Sequence, residues 1–225
     1  MKKSVILLAA LLLLLLNLTV MAQEEEEEWA RDILEMNFFG GVDGPTSDML
    51  EWNDSLGAKT GYNVGMDIGY FISNPLVAGI SFRFAEYSIA AYSHDEAAAD
   101  LKHRIYNPQV YAKYYLMPYS SYSPYVKANI GLTFNKFTTY VDSDGDGDND
   151  RYRQLSYSPA LSYGIGAGGF IYTADYGGFF IEGNYHIIKS AESDHEYEGT
   201  TYVFGDDLAV WEIHAGVRIL IGSGD

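Results

Sequence analysis

The chain has no cysteine, which excludes a disulfide framework and any zinc–thiolate centre. Basic residues are scarce, with 14 Lys and Arg against 31 Asp and Glu and a formal net charge of −17. Nucleic-acid binding requires a basic patch that neutralises phosphates, so that class of partner is excluded. Proline is sparse too, at 6 in 225 residues. Past the N-terminal region no apolar run has the length of a membrane-spanning helix. Tyrosine and glycine are abundant instead, at 20 and 23. That composition with short apolar runs favours β-structure over helix bundles.

The first residues read as an export address. Lys2 and Lys3 precede an unbroken apolar run, Val5 to Leu16, and Val20-Met21-Ala22 supplies small residues at the −3 and −1 positions of a cleavage site. These are the three parts of a secretory signal peptide, expected over residues 1–22 with cleavage after Ala22. The run is too short for a spanning helix, which wants about 18 residues. No cysteine follows it, so no lipoprotein anchor is expected. Residues 23–32 read as an acidic flexible tail built around the run Glu24 to Glu28.

Beyond the tail the pattern has period two, the mark of a strand with two different faces. Tyr62, Val64, Met66, Ile68 and Tyr70 alternate with Asn63, Gly65, Asp67 and Gly69. Val126, Ala128, Ile130, Leu132 and Phe134 alternate with Lys127, Asn129, Gly131 and Thr133. Trp211, Ile213, Ala215, Val217, Ile219 and Ile221 alternate with Glu212, His214, Gly216, Arg218 and Leu220. Eight such segments are expected, near 33–43, 61–72, 76–91, 104–116, 125–140, 154–173, 178–189 and 208–221. Short turn-like links alternate with long polar ones near 44–60, 92–103, 141–153 and 190–207. The polar face is too small and glycine-rich to serve as a solvent face, as in Gly164, Gly166 and Gly168. The opposite face is broad and apolar, and Tyr114, Tyr119, Tyr122, Tyr125, Tyr172, Tyr176 and Trp211 fall near segment ends, where amphipathic rings settle at a membrane interface. A lipocalin-like soluble carrier, with the apolar face turned inward, is the weaker alternative.

These dyad repeats, the stretch Tyr163 to Phe170 and the closing segment Ala215 to Ile221 resemble the small eight-stranded outer-membrane β-barrels, the OmpA transmembrane domain and OmpX type. The resemblance covers residues 33–221. It implies an all-β fold: one antiparallel up-and-down transmembrane barrel with short periplasmic turns and long extracellular loops, in the outer membrane of a Gram-negative-type cell. It also implies lipid and lipopolysaccharide neighbours and handling by the barrel-assembly machinery. Family members usually end in an aromatic residue that this machinery reads, whereas this chain continues through a tail at 222–225. No appended peptidoglycan-binding domain is expected, so the tethering role of OmpA is not expected to carry over.

Parity places Glu35, Asp67, Arg83, Lys113, Lys127, Glu182, His186, Glu212, His214 and Arg218 inside. The lumen of an eight-stranded barrel is just wide enough to be filled by side chains, and buried charges must pair. A salt-bridged plug is therefore expected, with a narrow pore or small-solute conduit as the alternative. Glu182, His186, Glu212 and His214 lie on the last two strands and resemble an acid/base set. No Ser or Thr nucleophile motif accompanies them, so a lipid-modifying enzyme is the weaker reading and no catalytic residue or required cofactor is assigned. Asp142, Asp144, Asp146, Asp148 and Asp150 alternate around Gly145 and Gly147, a spacing similar to the calcium loops of thrombospondin type-3 repeats, and Ca2+ is the expected ion there. Most of the acids fall in the loops and the tail. Such loops repel lipid phosphates unless divalent cations bridge them. The expected role is non-enzymatic, in envelope integrity, adhesion or recognition of an extracellular ligand through the acidic loops.

Overall fold

The computed structural model describes residues 33–46, 56–58, 60–91, 101–118, 120–141, 151–174, 176–189 and 207–222. The expected signal peptide, the acidic tail and the aspartate loop 142–150 lie outside them. Ten strands follow in chain order: β1 Leu34–Pro45, β2 Leu56–Ala58, β3 Gly61–Ser73, β4 Leu76–Ala91, β5 Leu101–Tyr115, β6 Tyr122–Val141, β7 Arg151–Ser156, β8 Ala160–Ala174, β9 Gly177–Ile188 and β10 Leu208–Ile221.

Eight of these strands form a closed antiparallel ring in the order β1–β3–β4–β5–β6–β8–β9–β10, and β10 returns to β1. Closure leaves no free edge in the wall. The seam between β10 and β1 runs in unbroken register from Leu34↔Ile221 to Pro45↔Val210. The short β2 caps β4, and β7 continues the line of β8 along β6.

Two prolines interrupt this regularity. Thr133 pairs with Ala160 and Lys136 with Ser156, so three residues of one strand face two of the other. This is a bulge containing Pro159, which has no N–H to give to the ladder. It divides into β7 and β8 the run 154–173, expected from the sequence as one segment. Between β5 and β6 the register passes from Tyr106↔Phe134 to Gln109↔Gly131 with no pair between, and Pro108 lies in the gap.

The two faces settle which side meets solvent. The outward positions are apolar: Ile165 is 69% exposed, and Ile80 and Ile181 60%. The inward positions are polar and closed off, with Glu35, Asp43 and His103 at 0%. A soluble barrel would show the reverse, so the lipocalin-like arrangement is excluded. An apolar exterior on a closed sheet suits crossing hydrocarbon, because closure lets the strands pair their backbone groups within the wall. The short turn Asn74-Pro75 and the end of β5 at Tyr115 with the start of β6 at Tyr122 lie at the end where Leu34 and Ile221 meet.

Glycines let the wall approach the contents of the lumen. A Cβ on Gly164 would lie 2.6 Å from His186 Nδ1, and one on Gly168 would lie 2.6 Å from the Tyr125 ring. The glycine-rich face of β8 is thus the imprint of large side chains filling the interior.

Candidate functional site

The interior is built in tiers. At the short-turn end Glu35 on β1 is fully buried. Its carboxylate accepts from Lys113 Nζ at 2.5 Å, from Asn37 Nδ2 at 2.7 Å and from the Tyr115 hydroxyl, and Arg218 Nε lies 3.4 Å away. Arg218 also donates to Asn37 Oδ1 at 3.0 Å. Its guanidinium lies 3.9 Å from the centroid of the Phe170 ring, and Lys113 lies 4.9 Å from that of Tyr125. Beneath and around these groups Ile33, Phe71, Val77, Phe170, Phe180 and Leu220 form an apolar floor. Cations over ring faces in a buried site are held well.

In the middle tier Lys127 on β6 reaches two carboxylates, Asp67 Oδ2 at 2.8 Å and Glu182 Oε1 at 3.2 Å. Asn184 Nδ2 donates to the same Glu182 oxygen at 2.9 Å. Above it Glu212 pairs with Arg83 and holds one oxygen 3.2 Å from both His186 Nε2 and His214 Nε2. Phe39 stacks on the His214 ring at 4.6 Å, which fixes its plane. Nearest the long loops Asp43 accepts from Asn63 and from Tyr87 Oη, the latter at 2.8 Å, and His103 Nε2 lies 3.0 Å from Asn135 Oδ1.

All ten residues that parity places inside are buried, at 6% exposure or less. The structure joins them across strands that are distant in sequence. Asp43 and His103, both fully buried, belong to the same interior and are not among these ten. Asp43 ends a marked segment at the inward parity, so its signal was present. His103 fell one residue before a segment drawn from 104. Tyr125 and Tyr172 correct the interfacial reading: Tyr125 is buried in the lumen, and Tyr172 packs edge-on to Phe170 at 4.5 Å. Both sit at inward parity, and their ring area fills the floor. Tyr119 lies outside the described residues.

The arrangement favours charge pairing over chemistry. Glu182, His186, Glu212 and His214 do converge, but each is at most 3% exposed, so no lipid outside the wall can reach them. Asp43, Glu212 and His214 each bring one ligand atom within 4.8 Å of the others. Asp43 already accepts two hydrogen bonds and Glu212 already faces Arg83, so a cation there would have to displace these partners. Just beyond the mouth of the barrel, Lys189 pairs with Asp207, and that hydrogen bond holds its ammonium above the ordinary lysine range.

A family model described as the outer membrane protein beta-barrel domain matches residues 8–219. Among solved structures, neisserial surface protein A is similar at 16% identity and a TM-score of 0.51, over 83% of this chain and 96% of that one. The outer membrane protein OprG from Pseudomonas aeruginosa is similar at 11% identity and a TM-score of 0.56, over 86% and 98%. No curated protein matches the chain.

Proposed function

Because the chain belongs to the outer-membrane β-barrel domain family, we propose that it is a non-enzymatic surface protein whose lumen is a structural plug and whose long acidic loops carry recognition or adhesion. One observation carries this reading. Buried ion pairs occupy the lumen from Glu35 near the short turns to Glu212, and Asp43 nearest the loops accepts hydrogen bonds from Tyr87 and Asn63. Each charge in that column is held by partners on other strands, which is what a plug requires and what a freely conducting path lacks. The work then falls to the loops, since the wall faces lipid and the interior is filled. Lipid, lipopolysaccharide and the assembly machinery are the partners this placement supplies, and an extracellular ligand is the partner the loops would add.

The test is conductance in a planar bilayer. A plug gives no steady steps, and neutralising Glu212 or Arg218 lowers stability without opening a path. Steady steps whose ion selectivity changes with E212Q would sink the plug.

The narrow conduit draws on a different observation. Several buried atoms, among them Arg83 Nε, Glu182 Oε2 and His186 Nδ1, have no protein partner. Buried groups of this kind are usually satisfied by water. A file of waters through those atoms would conduct, and the same bilayer experiment separates the two.

A further inference from the structure

The outer wall of β4, β5 and β6 carries a feature that neither the lumen nor the loops explain. Cross-strand register sets its outward residues in rows. Toward the long loops, one row below Ser88, Lys102 and Thr138, stand Glu86, Arg104 and Lys136. The next is Phe84, Tyr106 and Phe134. Below it lies a groove of about 650 Å³ lined by Pro108, Phe82, Ile80, Val110, Ile130 and Leu132 among others. The groove coincides with the gap in the β5–β6 ladder. A proline there offers no side chain long enough to fill the space between its neighbours and no N–H to draw the strands together.

The charged row stands out in a chain of net charge −17. Arg104 Nε binds Glu86 Oε2 at 2.7 Å and Lys102 Nζ lies 3.5 Å from Oε1, so one carboxylate faces two cations. Lys136 holds its ammonium 5.5 Å from the centroid of the Tyr106 ring, and no described carboxylate pairs with it. These outward groups total three cations against one acid. Four residues of strand separate Arg104 from Pro108, about 13 Å at the usual rise. The pattern from loops to turns is cation, aromatic belt, apolar groove.

We propose that this wall seats one phosphorylated lipid of the extracellular leaflet. Its phosphate lies on Arg104 and Lys136, with Lys102 beside them, and one acyl chain lies in the groove at Pro108. Charge complementarity and depth select the occupant. A cationic pair at headgroup level directly above a hydrocarbon-level groove fits a molecule carrying a phosphate and an acyl chain in that order, and a phosphorylated glycolipid of the lipid A type has that chemistry. A peptide or a second barrel would have no use for both features on one line of the wall. The seat rests on the outer-membrane placement and is independent of whether the lumen conducts or the loops bind.

The test uses the full-length mature protein refolded in detergent, with bound lipid counted by native mass spectrometry. The probes are diphosphoryl lipid A, its dephosphorylated form, phosphatidylcholine and inorganic phosphate. The wild type is expected to retain diphosphoryl lipid A about tenfold better than the dephosphorylated form, as expected for two cations near a membrane surface. R104Q with K136Q removes that preference. V110W, which fills the groove, weakens retention while leaving the preference for phosphate. K189Q, on another part of the rim, changes neither. Each variant is accepted only if it keeps the heat-dependent shift in SDS gels that marks a folded barrel. Equal retention of both lipid A forms by the wild type would overturn the seat, as would full retention by R104Q/K136Q. Displacement of lipid A by millimolar inorganic phosphate would reduce it to a general anion patch and overturn the acyl-chain half.

Discussion

Removing Lys127 tests the plug most directly. This one ammonium faces both Asp67 and Glu182, and all three are buried. K127M keeps an unbranched side chain one atom shorter and deletes the charge, leaving two carboxylates with no cation between them. Breaking a buried pair by removing one partner costs about 3–5 kcal/mol, because the remaining charge is stranded. Asn184 Nδ2 still donates to Glu182 at 2.9 Å, and His214 Nδ1 lies 3.9 Å from the same oxygen, so Glu182 keeps partial support. Asp67 has no other ion-pair partner among the described residues. The lower half of the range is therefore expected, about 3–4 kcal/mol. With a urea dependence of about 2 kcal/mol per molar, the unfolding midpoint falls by about 1.5–2 M. The assay is reversible urea unfolding of the barrel in lipid vesicles, followed by tryptophan fluorescence and by the gel shift. The triple variant K127M/D67N/E182Q removes the stranded charges and should recover most of the loss. A midpoint unmoved by K127M, or a triple variant no better than the single one, would refute the reasoning that pairing within the lumen holds the wall.

Other outcomes follow from the same structure. G164V places a branched side chain where His186 Nδ1 already stands 2.6 Å from a Cβ; overpacking of about 1–3 kcal/mol is expected, seen as a lower urea midpoint. I181R on the lipid-facing side of β9 should destabilise by about 2–4 kcal/mol if that site lies near mid-bilayer. Y62R, near the loop end of β3, should cost about 0–1 kcal/mol in the same assay. In the aspartate loop, Ca2+ is expected to slow proteolysis between Asp142 and Asp150, and D144N with D146N should abolish that protection. Identical cleavage rates with and without chelator would dismiss a calcium site there.

The fold was legible in the sequence because a membrane barrel imposes a strict two-residue period with opposite chemistry on its two faces. Val126, Ala128 and Ile130 could only face lipid once Lys127 and Asn129 were placed inside, and β6 follows that rule. Parity also placed ten acidic, basic or histidine residues of the interior correctly, and Asp43, at the very end of the segment 33–43, is the one of that kind it omitted within a segment. Parity assigns a side without assigning a neighbour. That Lys127 on β6 would meet Asp67 on β3 depends on strand tilt and on reach across the lumen, which no local pattern encodes. Tyr125 shows the limit from the other direction. Its ring suits a membrane interface by composition, but inward parity and the space above Phe170 place it under Lys113. The gap at Pro108 was equally hidden, because one proline within an alternating run leaves the apolar count unchanged.

The seam between the first and last strands sets the order in which the molecule can be made. Leu34 meets Ile221 and every later rung of β1 waits for a rung of β10, so the ring cannot close until β10 has been made and brought to β1. Contacts so remote in sequence form slowly. Until then β1 and β10 each present an unpaired edge, and an unpaired apolar strand is a template for joining another chain. The time between export and closure, rather than the stability of the finished barrel, is when this protein is most exposed to aggregation. Its tendency to aggregate before closure should therefore rise with every change that delays the pairing of β10.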